Sequence, residues 1–128
     1  MRIMLVDNDA AWVRSLELLL KGRGHEVYAF TNPLEACDFI RQISGSGFLN
    51  DSALPDAVVL DYLMPELSGY QVMARISDML TNNCTIVFVT GYSEQLETSR
   101  LTETGITACL SKPVDFDILE RVLEGKAA

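Results

Sequence analysis

The sequence is short of the residues on which much metal and hydrolytic chemistry depends. It has one histidine, His25. Histidine-based metal sites and Ser-His-Asp catalysis therefore have almost no material, and His25 reads as structural or solvent-facing. Three cysteines, Cys37, Cys84 and Cys109, are an odd number, far apart, with no C-x-x-C pair. That argues against a disulfide framework or zinc site and fits a reducing cytoplasm. No apolar run approaches the ~18 residues of a membrane span. The N-terminal run Ile3-Met4-Leu5-Val6 meets Asp7, too early for a signal peptide. Neither G-x-x-x-x-G-K-[ST] nor G-x-G-x-x-G occurs, so nucleotide-binding readings lack support. Basic residues are outnumbered, 10 against 18 acids, giving a net charge of −8. That balance disfavours nucleic acid and anionic membrane as partners and suits cations and basic partners.

What is present is a chain of 128 residues, the length of a single domain over residues 1–128. It shows no repeat and no low-complexity tract. Short apolar runs alternate with helical patterns. Ile3–Val6 reads as a buried strand. A helix follows, with Trp12, Leu16, Leu19 and Leu20 on one face, Asp9 as its N-cap, and Gly22 and Gly24 at its end. Glu26–Phe30 is a second strand. Pro33 sits in the first turn of a second helix whose apolar face is Leu34, Ala36, Phe39, Ile40 and Ile43. Residues 44–55 are rich in Gly, Ser, Asn and Asp and read as a surface loop insertion. Ala57–Leu60 is a third strand, ending at Asp61. Gly69 precedes a third helix carrying Val72, Met73, Ile76, Met79 and Leu80. Thr85–Val89 is a fourth strand, ending at Thr90-Gly91. A weaker fourth helix spans about Glu94–Glu103. Thr107–Leu110 is a fifth strand, and a fifth helix runs from about Phe116 to Leu123.

Strands alternating with helices mean an α/β fold with a parallel sheet. The strands are continuously apolar, so helices cover both faces. The expected architecture is a five-stranded doubly wound sheet of flavodoxin-like order 2-1-3-4-5 with five helices. Its crevice lies beyond the carboxyl ends of the strands, where the winding reverses between strands 1 and 3. Asp7-Asn8-Asp9, Asp61, Thr90 and Lys112 all fall at that edge. Singly each has a bland reading: a cap for Asp9, a satisfied hydroxyl for Thr90, a solvated lysine for Lys112. Together they form a set that the fold brings to one place. Two carboxylates ~5 Å apart repel by about 3 kcal/mol at an effective dielectric near 20. A hard divalent cation such as Mg²⁺ offsets that. Carboxylates, Mg²⁺, a lysine and a threonine are the parts of a phosphoryl-transfer site, with Asp61 as the candidate nucleophile.

These motifs carry a resemblance. Met4-Leu5-Val6-Asp7-Asn8-Asp9, Val58-Val59-Leu60-Asp61-Tyr62-Leu63-Met64-Pro65, Gly69-Tyr70, Val87-Phe88-Val89-Thr90-Gly91 and Leu110-Ser111-Lys112-Pro113 occur in this order. In that combination the sequence resembles the receiver domains of bacterial two-component response regulators, over essentially the whole chain outside 44–55. The resemblance implies that Asp61 accepts a phosphoryl group from a sensor-kinase phosphohistidine. It implies Mg²⁺ held by the acidic pair at Asp7 and Asn8, by Asp61 and by the backbone carbonyl of Leu63. Thr90 and Lys112 would meet the phosphoryl oxygens. The Lys112–Pro113 bond would be cis, and the fourth helix, fifth strand and fifth helix would form the switch face toward an effector domain or protein. Such a domain is not an enzyme toward other substrates. It catalyses only its own aspartyl phosphorylation and dephosphorylation.

Two positions depart from the family pattern. Asn8 replaces the second acid of the pair, so weaker Mg²⁺ binding is expected. Cys109 stands where the family usually has an aromatic residue, three positions before the lysine. Either the switch runs differently, through nearby Tyr92, or its coupling is weak. Leu63 and Tyr92, at the positions that tune lifetime in the family, are bulky and would not orient an attacking water, so slow autodephosphorylation is expected. A non-phosphorylated pseudo-receiver, used only for protein contact, is the alternative. A haloacid-dehalogenase-type phosphatase would want an acid at Leu63. A flavodoxin-like FMN carrier would want a Ser/Thr/Gly loop at Asp7-Asn8-Asp9. Exposed apolar residues on the last two helices would allow a homodimer, though Leu96 and Leu101 read equally well as core. The chain ends shortly after the last helix, which fits a single-domain regulator and the front of a longer protein equally.

Overall fold

The computed structural model describes residues 1–44, 53–91 and 106–125. The strands are β1 (Arg2–Val6), β2 (Glu26–Phe30), β3 (Ala57–Asp61), β4 (Thr85–Thr90) and β5 (Ala108–Ser111). All pairings are parallel, in the order β2-β1-β3-β4-β5. The helices are α1 (Ala10–Gly22), α2 (Pro33–Ser44), α3 (Gly69–Ile76) and α4 (Phe116–Leu123). The expected helix near Glu94–Glu103 lies outside the described residues, as do Tyr92, Leu96, Leu101 and positions 45–52 of the expected loop.

The continuous apolar strands are explained by two cores. Alternate side chains of a strand point to opposite faces. Met4, Val6, Val58, Leu60, Ile86 and Phe88 face one core with α2 and α3. Ile3, Leu5, Ala57, Val59, Val87 and Val89 face the other with α1 and α4. Every one of these strand residues is buried. Helix α1 therefore lies on the opposite side of the sheet from α2 and α3. This is the reversal of winding that opens a crevice at the ends of β1 and β3.

Several expected faces shift by a position. In α1 the buried residues are Val13, Leu16 and Leu20, whereas Leu19 is 51% exposed. Helix α1 packs chiefly on β2 and β1, and the i, i+3, i+7 stripe from Val13 is its buried side. In α2 the expected Ala36 and Ile40 are buried and Phe39 and Ile43 pack half-buried on the core, but Leu34 is exposed, and Pro33 and Cys37 join the buried set. Helix α3 stops at Ile76, and Ser77–Met79 tightens into a 3₁₀ turn. Met79 and Leu80 still pack on the core from there. The end of the 44–55 segment does not project: Leu54 is buried.

Candidate functional site

Register alone brings the expected residues together. Val6 pairs with Leu60, so the next residues, Asp7 and Asp61, end adjacent strands at the same level. Adjacent strands run ~4.8 Å apart. Asp61 pairs with Val89, which puts Thr90 one residue further along β4, and Thr90 pairs with Ser111, the residue before Lys112. The backbone N–H of Lys112 donates to the Thr90 carbonyl at 2.9 Å, continuing the ladder past β5. The Lys112–Pro113 peptide is cis.

The side chains complete the convergence. Lys112 Nζ lies 2.6 Å from Asp7 Oδ2 and 3.5 Å from Asp61 Oδ2. Asp7 is wholly buried and Asp61 is 8% exposed. The other Asp7 oxygen, Oδ1, accepts from the Asp9 backbone N–H at 2.9 Å. Asp9 turns away: its carboxylate caps α1, accepting from the Trp12 N–H at 3.2 Å. One of its oxygens is thus occupied as a cap. Thr90 is wholly buried between β3 and β5. Asn8 is exposed at the rim, and Leu63 is 41% exposed.

Electrostatics follow from this packing. Burial pushes the Asp61 carboxyl above the usual carboxylate range, and the Asp7 charge adds to it. The Lys112 ammonium and the Leu63 backbone N–H pull the other way and do not cancel the rise. For Lys112, burial works against the charged form. The Asp7 hydrogen bond, with the charges of Asp7 and Asp61, overrides that and raises its pKa. Two buried carboxylates share one ammonium, leaving one negative charge uncompensated.

That excess, with an all-oxygen donor set, fits a hard divalent cation that keeps several of its waters, and suits Mg²⁺. The set is small. Among the described residues no three His, Cys, Asp or Glu side chains converge as a metal cluster.

Beside Asp61 lies an aromatic group. Tyr62 and Tyr70 meet edge to face with centroids 5.2 Å apart, and Tyr70 meets Phe88 at 5.5 Å. Cys109 is paired with Phe88 across the β4–β5 ladder and packs against the same core. Aromatic bulk absent at Cys109 is therefore present one strand over. Burial raises the Cys109 thiol pKa, which keeps it a protonated packing group.

Sequence reasoning missed two contacts. Gly69 approaches Asp61 so closely that a Cβ there would lie 2.9 Å from the Asp61 carbonyl oxygen. The glycine beginning a helix eight residues after Asp61 was the available signal. Trp12, read as helix core, lies with its ring centroid 5.0 Å from Lys112 Nζ. Helical periodicity carries no signal for that contact, because the lysine comes from the far end of the chain.

Comparison with known proteins agrees with this geometry. The family model for the response regulator receiver domain matches residues 3–124. The protein PilH of Pseudomonas aeruginosa is 26% identical over 128 residues, covering 99% of this chain and 98% of PilH. Response regulator Rre1 of Synechocystis is 28% identical, covering 98% of this chain and 51% of Rre1. The chain thus spans about half of that relative, and only 18% of RcaC of Microchaete diplosiphon. Among solved structures, response regulator TrrA of Thermotoga maritima, in complex with Mg²⁺ and BeF, has a TM-score of 0.74. It is 26% identical, with 97% of this chain and 96% of that one covered. The receiver domain of the hybrid histidine kinase CckA also has a TM-score of 0.74 and 26% identity, over 98% of this chain and 97% of that one. With the sheet order, the strand-end residues and the family match in agreement, this chain belongs to the response regulator receiver domain family.

Proposed function

We propose that the chain is a working phosphoacceptor that takes a phosphoryl group from a sensor histidine kinase or phosphotransfer protein onto Asp61. The observation that carries this is the Lys112 ammonium at 2.6 Å from Asp7 and 3.5 Å from Asp61. It aims a positive charge at the place where a phosphoryl group on Asp61 would sit, beside a buried acidic partner. A purely structural lysine at this edge would have no need of two buried carboxylates.

In the proposed step an ionised Asp61 oxygen attacks the phosphorus of a phosphohistidine. The O–P bond forms, the N–P bond breaks, and the imidazole nitrogen keeps the electron pair and takes a proton from solvent. Lys112 pairs with the phosphoryl oxygens, and the Thr90 hydroxyl donates to one of them. Asp7, Asp61, the Leu63 carbonyl and the Asn8 amide oxygen are the residues that would hold Mg²⁺. When bound, Mg²⁺ supplies charge neutralisation between the carboxylates and the incoming phosphoryl group. The domain acts on no separate substrate. It catalyses only gain and loss of its own phosphoryl group.

The output partner in this reading is an effector domain or protein reading the face of β5 and α4; the expected helix near Glu94–Glu103, the third part of that face, lies outside the described residues. No helix among the described residues is long and apolar enough to cross a membrane. Free cysteines at 37, 84 and 109 suit a cytoplasmic protein.

The test is intact mass after incubation with Mg²⁺ and acetyl phosphate, with Asp61→Asn alongside. One phosphoryl group gained by the parent, and lost in the variant and on chelation, is the expected result. No gain at high Mg²⁺ overturns the proposal in favour of a pseudo-receiver that acts by protein contact alone.

A further inference from the structure

Lys112 has the longest side chain of the site, with many rotamers to lose. Two of its restraints are the carboxylates already described. The third is Trp12. The Lys112 ammonium lies 5.0 Å from the Trp12 ring centroid, within the range of a cation–π contact. Tryptophan is the strongest of the natural aromatic side chains in that role.

The ring is itself well held. Trp12 sits in the first turn of α1, and its backbone N–H is the group that Asp9 caps at 3.2 Å. Its side chain packs half-buried against the core of the α1–α4 face. Beside it is a cavity of about 90 Å³, shared with Val114 and Phe116 from the segment that follows Lys112. The indole therefore bridges the helix carrying the acidic loop to the segment carrying the lysine. Lys112 keeps 24% of its side chain exposed while Asp7 keeps none. The lysine is thus the open side of the ion pair, where water would loosen it.

We propose that Trp12 is a positioning residue, whose indole seats the Lys112 ammonium against Asp7 and Asp61 and thereby sets the rate at which Asp61 is phosphorylated. This rests on the phosphoacceptor reading for its rate consequence, but the seating itself does not. A cation–π contact of this kind changes the seated population roughly two- to thirtyfold, depending on how dry it is. Asn8 makes the seat matter more. With an amide at that position, Asp7 is the one acid beside Asp61 in the loop that is aimed at the lysine.

The test compares the parent with Trp12→Leu and Trp12→Phe. The first readout is the proton NMR shift of the Lys112 ε-methylene, which needs no activity. It is expected upfield in the parent, from the ring current, and at an ordinary lysine value in Trp12→Leu. An ordinary value in the parent overturns the seating. The second readout is the initial rate of phosphorylation by acetyl phosphate at saturating Mg²⁺, followed by intact mass. Trp12→Leu is expected to fall roughly tenfold, within the range above. Trp12→Phe, which keeps an aromatic face, recovers most of that loss. Thermal melts separate the effect from packing. Leu and Phe both lose the indole, so a merely structural role would lower both rates in step with stability. Equal rates in Trp12→Leu and Trp12→Phe overturn the positioning role. Absence of phosphorylation in the parent overturns the phosphoacceptor reading instead, and the NMR shift then decides the seating alone.

Discussion

Gly69→Ala tests how tightly α3 is built onto Asp61. Gly69 opens α3, and its N–H donates to the Tyr62 carbonyl at 2.7 Å. An added Cβ would lie 2.9 Å from the Asp61 carbonyl oxygen and 3.1 Å from the Phe88 ring edge. Neither neighbour yields easily. The oxygen belongs to the last residue of the central strand β3, and Phe88 is wholly buried. The helix start cannot back away without breaking its bond to Tyr62. Overpacking of this kind costs about 1–3 kcal/mol. Alanine returns up to about 1 kcal/mol over glycine in a helix, and less in the first turn. The net expectation is a loss of about 1–2 kcal/mol, or about 4–8 °C in Tm for a domain of this size. Gly22→Ala is the matched control. Gly22 ends α1, its φ is not positive, and nothing lies within 4 Å of its added Cβ. It should gain about 0.5 kcal/mol through lower unfolded-chain entropy and better helix propensity. Urea melts of the three proteins decide the matter. A Gly69→Ala variant as stable as the parent would refute the close packing of α3 onto the acceptor.

Lys112→Ala should cost about 3 kcal/mol, because it leaves the wholly buried Asp7 without its counter-ion; a loss under about 1 kcal/mol in urea unfolding would show that the pair is looser than drawn. Asp61→Asn should be more stable than the parent at pH 7. The folded-state pKa of Asp61 is raised, by burial first and Asp7 second, so its ionised form is a native-state cost. That cost is absent below the ordinary carboxylate range near 4 and grows as pH rises through the raised value. The stability advantage of the variant should therefore grow between about pH 4 and 7, and a constant difference across urea melts would count against it. Asn8→Asp should tighten Mg²⁺ binding, measured by calorimetry, since it adds a charge at the rim of an oxygen site. Phosphorylated Asp61 should lose its phosphoryl group slowly in Mg²⁺, because Leu63 carries no group that orients water; a half-life of seconds by mass spectrometry would contradict this.

The fold was legible because its signal is local and redundant. Five strand-like runs of four or five residues, separated by helical patterns, admit few parallel topologies once crossovers are right-handed. The site was legible for a related reason. Strand ends are marked by the change from Val, Ile and Leu to Asp, Thr or Ser, so Asp7, Asp61, Thr90 and Lys112 are located by the same pattern that locates the sheet. What escaped was the part set by which neighbour sits where around a helix. Periodicity gives the width of an apolar stripe and not its centre. The pattern in α1 puts Trp12, Leu16, Leu19 and Leu20 on one face; Leu16 and Leu20 are buried, but Val13 joins them and Leu19 is exposed. The same ambiguity hid Trp12, which belongs half to the core and half to Lys112, a partner 100 positions away in sequence. Asp9 shows the limit from the other side. Its residue type fits a cap and a metal ligand equally, and the distance to the Trp12 N–H decides for the cap. With Asp9 committed there, the acidic loop brings one carboxylate to the lysine where its composition offers two. In the proposed phosphoryl transfer the electrostatics would consequently depend on how firmly Lys112 is held between Asp7 and Asp61, and the contact to Trp12 on the α1–α4 face is set by three-dimensional packing rather than by any motif along the chain.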